Sequence, residues 1–290
     1  MKHGTSISSI ALAVLLSATS AFAQRKPPLA ENAALHYWSA FSEMEDSGIT
    51  GQEAKELNAI LDGTAPYDDS KYKDLLEKNA LALEVMARAT SLPNCDWGLD
   101  YGLGEDLPVE YARRALTLGR LNVLYAFHLF ISDNKDGGVR ALAAGLRFSR
   151  DVGNAGSLFA TLIAKDLLVT HLKAAGSAVH LEQLSAAQRA RLQSAVSQLG
   201  DGLDWGTAAK RDLEALRAHY AADAQTSAAL TRIISSYVAA LEDQSRLPVL
   251  GKTIDSAPQQ LASVIPSAKR VLEEKQDLNN KLLQTRALLQ

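Results

Sequence analysis

The chain has 290 residues, 47% of them hydrophobic and 22% charged, with 30 Lys and Arg against 33 Asp and Glu. Such a balance, without a basic stripe, argues against nucleic-acid binding, which rests on a concentrated positive face. Cys95 is the single cysteine, so no internal disulfide can form and the fold is expected to rest on packing alone.

Residues 1–23 read as a secretory signal peptide. Lys2 and His3 open a short positive stretch, IALAVLL over 10–16 forms an apolar core, and Ala21-Phe22-Ala23 carries the small-x-small cleavage pattern. Cleavage after Ala23 leaves a chain of 267 residues starting at Gln24, with 29 basic against 33 acidic residues, directed to the periplasm or the exterior. No later apolar run approaches the ~20 residues needed to span a bilayer, so no membrane span is expected.

Hydrophobic spacing is helical nearly everywhere beyond that point. Ala34, Tyr37, Trp38, Phe41 and Met44 form one stripe of a first helix, closed by Gly48. Thr50 and Glu53 suit a capping box for a second helix ending at Leu61. Tyr72, Leu75, Leu76, Leu83 and Met86 predict a single third helix over 70–89, which Pro93 forbids from continuing. Residues 90–107 show no period. Pro108 suits the first turn of a long helix running to about 132, apolar on most of its circumference and hence buried between neighbours.

Residues 133–138 (DNKDGG) read as a turn, followed by a helix over 139–150 stopped by Gly153. Another helix spans about 157–178. Ser185 with Gln188 caps the next, which ends at Gly200. Asp204 suits the cap of a stretch from Trp205 to about 243, long enough to require a kink or a break near Ala222. Pro248, Pro258 and Pro266 interrupt the tail before a last helix from about Ser267. No segment alternates convincingly and β-branched residues are sparse. The class expected is therefore all-α, built of stacked antiparallel hairpins in a repeat-like or irregular bundle. The organisation expected is a signal peptide over 1–23, a helical-hairpin domain over 24–245 and a helical tail over 246–290 that packs back on it.

Residues 137–153 (GGVRALAAGLRFSRDVG), the helix over 158–172, the Leu184-Ser185-Ala186-Ala187-Gln188 entry and Cys95-Asp96-Trp97 ahead of a leucine-rich helix resemble one group. It consists of exported, uncharacterised all-helical bacterial proteins with tetratricopeptide-like hairpins. The resemblance covers about residues 70–220. It implies a hairpin stack and export, and it implies no activity. No clean 34-residue period repeats along the chain.

Catalytic motifs are missing. His-Glu-x-x-His, Gly-x-Ser-x-Gly, a phosphate-cradling glycine loop and Cys-x-x-Cys do not occur. The candidate site is the loop over 94–106. There Asp96, Asp100, Glu105 and Asp106 offer carboxylates, while Trp97 and Tyr101 offer flat apolar faces with a polar edge. Those acids do not follow the EF-hand spacing, and the loop also reads as a structural one in which the aromatics plug the hairpin stack and the acids cap helices. His36, His128, His171, His180 and His219 fall on different elements, although His128 and His171 have room to approach across the stack. No metal, cofactor or catalytic residue is assigned. The functional expectation is a scaffold or binding protein for a peptide or protein partner. The alternative is a hydrolase or lyase using carboxylates of the 94–106 loop on an envelope or extracellular polymer.

Overall fold

The computed structural model describes residues 29–45, 49, 51–100, 110–154, 156–180 and 184–290. Residues 1–23, read from sequence as a signal peptide, lie outside the described residues, as do Gly48 and Thr50. Thirteen α-helices and no strand occur among those described: α1 (Ala33–Glu43), α2 (Gly51–Leu61), α3 (Asp69–Lys78), α4 (Ala80–Ala89), α5 (Glu110–Ile131), α6 (Lys135–Gly153), α7 (Leu158–His180), α8 (Ala186–Ser197), α9 (Trp205–His219), α10 (Ala224–Glu242), α11 (Leu247–Asp255), α12 (Gln259–Ala262) and α13 (Ala268–Leu289). The fold is all-α, a stack of antiparallel hairpins.

Side-chain caps start the helices where polar residues announce them. Ser185 and Gln188 form the reciprocal capping box of α8. Asp204 accepts from Thr207 N at the head of α9, and Asp223 accepts from Gln225 N and Thr226 N at the head of α10. The long stretch after Trp205 is thus two helices, parted just where Ala221 and Ala222 lie. Ser267 caps α13, and Pro248 sits within the first turn of α11, where its missing N–H costs no hydrogen bond.

Two expectations are corrected. The helix predicted over 70–89 is broken at Asn79, which is fully buried. Asn79 Nδ2 donates to Leu75 O while Oδ1 accepts from Glu45 N, so the residue joins the end of α1 to the α3–α4 corner. A hydrophobic period cannot register a break whose cause lies 34 positions away. The turn predicted over 133–138 ends at Asn134, whose side chain accepts from Gly137 N and starts α6 there. Gly137 and Gly138 stay in the helix because the chain passes too close for a side chain. A Cβ on Gly138 would lie 2.5 Å from the Phe130 ring.

The core centres on α5, α6 and α7, which contact one another most extensively. Leu118, Leu121 and Leu124 from α5, Leu142 and Phe148 from α6, and Leu167, Leu168 and Leu172 from α7 are all buried. Each such side chain contributes about 1.5–3 kcal/mol of burial. Around this centre α1 packs on α4, α9 pairs with α10, and α13 lies along α7 and α8. Val271, Leu278, Leu282 and Leu289 form the buried seam of α13, and Lys165 of α7 meets Glu274 at 3.0 Å and Asp277 at 2.6 Å.

Within the α5–α6–α7 core sits a buried polar cluster. His171 Nε2 lies 3.1 Å from Asn122 Oδ1, and Nδ1 lies 2.8 Å from Leu167 O and 3.2 Å from Ser149 Oγ. Burial pushes the imidazole down to about 4, so it is held neutral. Glycine at 145 makes the cluster fit, since a Cβ there would lie 2.1 Å from His171 Nε2.

Candidate functional site

The loop singled out from sequence divides in two. Tyr101, Glu105 and Asp106 lie outside the described residues. The part before them is fastened by Asn32 just ahead of α1. Asn32 Oδ1 accepts from Asp96 N at 2.8 Å, Asn32 Nδ2 donates to Asp96 O at 2.8 Å, and Ala33 N donates to Asn94 O at 2.8 Å. The Asp96 carboxylate accepts from Gly98 N, and Gly98 takes the left-handed backbone that closes the turn.

Held this way, Trp97 points into the protein and is 4% exposed. Its ring centroid lies 5.7 Å from Tyr37, 6.1 Å from Phe41, 6.1 Å from Trp38 and 4.3 Å from Tyr111. Trp97 Nε1 donates to Asp151 O at 2.8 Å. That carbonyl is one of the last four of α6, which have no partner inside their own helix, so the indole caps α6 from outside. The geometry is that of a plug.

Asp151 is the hub of the region. Its carboxylate is 1% exposed; Tyr37 Oη donates to Oδ2 at 2.8 Å and Arg147 Nε to Oδ1 at 3.1 Å. Burial pushes its pKa up, against the pull of Arg147 and the tyrosine hydroxyl. Burial raises the Tyr37 hydroxyl too, so it stays a donor. The Cys95 thiol, 3.7 Å from Asp151 O, is pushed up by burial and then by the Asp151 charge, which leaves it protonated and a poor nucleophile.

The remaining sequence candidates are dispersed. His128 Nδ1 pairs with Asp69 Oδ1 at 2.7 Å on the outside of α5, while His171 is enclosed with Asn122 and Ser149, so the two face different partners. Asp68 caps α3. Among the described residues, no group of three His, Cys, Asp or Glu is placed to hold a metal ion.

The arrangement best suited to a ligand lies on the other face of α6. Between α4, α5, α6 and α8 runs a groove of about 750 Å³. Asn122, Ala141 and Ala144 form its floor, and the walls carry Arg140, Arg147, Arg191, Tyr125, Ser194 and Gln198. Arg140, Ala144 and Arg147 recur at four- and three-residue steps, which puts them on one helical face. The small floor residues leave the space that their neighbours' long side chains surround.

The three guanidiniums of the groove differ in how they are held. Arg147 donates Nε to Asp151 and Nη2 to Leu92 O at 3.4 Å, so it is fixed from behind. Arg191 Nη1 pairs with Asp136 at 3.0 Å on the rim. Arg140 is exposed and has no ion-pair or hydrogen-bond partner among the described residues. Glu84, the single carboxylate among the described lining residues, pairs at 2.9 Å with Arg88 along its own helix. Neither Asp96 nor Asp100 lines this groove.

Sequence reading did not assign these residues to a site. The signal was present as Arg140-x-x-x-Ala144-x-x-Arg147 inside the segment 137–153. What marks it as a site is the positions of α4 and α8, which a local pattern cannot show. The chain matches no family model, no curated protein and no solved structure.

Proposed function

We propose that this is an exported helical binding protein that captures an extended peptide or a protein segment in the groove between α4, α5, α6 and α8. The single observation that carries the reading is the groove itself. It is lined by arginines with N–H groups to spare, by the amides and hydroxyls of Asn122, Ser194 and Gln198, and by a floor of alanines, with no nucleophile–base pair among its lining residues. Stacked helical hairpins present such elongated grooves to chain-like ligands. The signal-peptide pattern over 1–23 supports export, which would bring the groove to partners in the envelope or outside the cell.

The test is selection of random peptides on the purified protein, run beside Ser194→Trp, which places a large ring in the groove from an exposed position. Peptides enriched on the wild type and lost on the variant are the expected result. Enrichment that Ser194→Trp leaves unchanged, or none at all, overturns the reading.

A further inference from the structure

We infer that the groove between α4, α5, α6 and α8 selects an acidic segment, with two of its carboxylates three residues apart set against Arg140 and Arg147. The inference rests on the proposed binding role and adds the chemistry of the partner. Charge comes first. Among the described lining residues are three guanidiniums and one carboxylate; Glu84 is engaged by Arg88, Arg147 by Asp151 and Arg191 by Asp136, which leaves the Arg140 cation uncompensated. An acidic chain therefore meets attraction, whereas a basic chain meets Arg140 with nothing to offset it.

Preorganisation comes second. Arg147 is anchored through Nε by Asp151, and Asp151 is itself held by Tyr37 Oη. The guanidinium keeps Nη1 uncommitted, so a ligand carboxylate finds a donor whose rotamer is already fixed. Arg140 complements it as an exposed cation with no partner among the described residues. A carboxylate reaching it gains a charge-assisted hydrogen bond without displacing an internal partner.

Spacing comes third. Seven residues at ~1.5 Å separate Arg140 from Arg147 along α6, about 10.5 Å. A polyproline-II-like segment presents the same face every three residues at ~3.1 Å each, about 9.3 Å. Acids at positions i and i+3 of an extended segment therefore come opposite the two arginines. A free amino-acid carboxylate or inorganic phosphate spans only one of them.

The experiment is fluorescence anisotropy of the purified protein with a labelled nonapeptide of three Glu-Ser-Ser triplets. Controls are the same peptide with Gln for Glu, free glutamate, and inorganic phosphate as competitor. The inference expects the acidic peptide to bind at least tenfold more tightly than its Gln counterpart, and to weaken about tenfold in Arg140→Gln. It also expects loss of binding in Ser194→Trp, and competition by free glutamate or phosphate only at far higher concentration.

Equal binding of both peptides, blocked by Ser194→Trp but indifferent to Arg140→Gln, overturns the acidic preference and leaves the groove as a binding site. Phosphate competing as well as the peptide overturns the two-point spacing. Acidic binding untouched by Ser194→Trp places the site elsewhere and overturns the inference. Failure of the acidic peptide to bind overturns it too, while the random-peptide selection judges the groove separately. Circular dichroism of Arg140→Gln and Ser194→Trp checks that both variants fold, and Ala144→Trp is the second blocking variant.

Discussion

Two regions of this protein share the helix α6 and use it in opposite ways. At its end, Asp151 is enclosed by Tyr37, Trp97, Cys95 and Arg147, and its carboxylate and backbone carbonyl both have partners. Along its outer face, Arg140 and Ala144 border open space, and the Arg140 cation is uncommitted. The first region contains the more conspicuous residues, yet its polar groups are engaged and its rings cover one another. The second is built from ordinary arginines and alanines, yet it keeps donors and volume in reserve. Reserve capacity, rather than unusual residue type, is what separates a place that can bind from one that holds the fold.

The largest expected effect tests the enclosed region. Trp97→Ala removes a buried ring packed on four aromatics and uncaps the Asp151 carbonyl. Destabilisation of about 3–5 kcal/mol is expected, as for other large-to-small aromatic changes in cores. Urea denaturation measures it. A loss below about 1 kcal/mol would put Trp97 among the binding residues and erase the contrast between the regions.

Next come two titrating groups, the buried His171 and the half-buried Asp212, neither lining the groove, that oppose each other with pH. His171 is held near 4 against 6.5 for a free imidazole, so unfolding takes up a proton in that range. The stability it provides is complete above pH 6.5 and is lost as pH falls toward 4, about 3 kcal/mol in all. Asp212 is the reverse. Burial raises it to about 6, although its Oδ2 accepts from Leu158 N at the head of α7. Its contribution is complete below the ordinary carboxylate value and is lost as pH rises through about 6. Asp212→Asn keeps an acceptor for Leu158 and removes the charge. The variant should therefore exceed wild type by up to about 3 kcal/mol at pH 7.5, with the gap closing by pH 4. Denaturation midpoints of both proteins across that range test the sign, and a gap that widens toward acid contradicts it.

A smaller effect probes the link between the two regions. Tyr37→Phe leaves Asp151 Oδ2 without its donor in a buried setting, which costs about 1–3 kcal/mol. If Asp151 holds Arg147 in place for the groove, the same variant should also weaken the acidic peptide severalfold while leaving its Gln counterpart unchanged. A stability loss with unchanged peptide affinity would confine Tyr37 to the enclosed region.

How much of this was legible in the sequence follows from the range of each cause. The helix α1 with its buried Ala34, Tyr37 and Phe41, the capping box at Ser185, the cap at Asp204 and the start of the last helix at Ser267 are local and appear as the residues predict, whereas Trp38 of the α1 stripe is exposed. The start of α6 at Lys135 had a local signal in the Asn134 cap that the glycines at 137 and 138 obscured, whereas the break at Asn79 was not legible, because a bond to Glu45 decides it. The same holds at helix ends. Arg114 donates to Phe41 O, Arg150 to Gln198 O and Lys275 to Leu241 O, each capping a helix remote in sequence. In the candidate loop, Trp97 was visible as an aromatic serving as plug or as binding face, and the position of α6 above it makes the geometry a plug. The groove was invisible for the matching reason, since α4 and α8 supply half of it.

The smallest expected change is the most pointed. Arg140→Gln should alter stability by no more than about 0.5 kcal/mol, because the side chain is exposed and releases no partner among the described residues. Removing a cation that folding does not use leaves the folded and unfolded states equally solvated at that position. Any appreciable destabilisation would mean that Arg140 is engaged within the fold, as Arg147 and Arg191 are, and the reserve attributed to the outer face of α6 would vanish with it. A thermal melt within a degree or two of wild type, set beside the destabilisation expected of Trp97→Ala, would instead show that one helix carries a structural end and an uncommitted face.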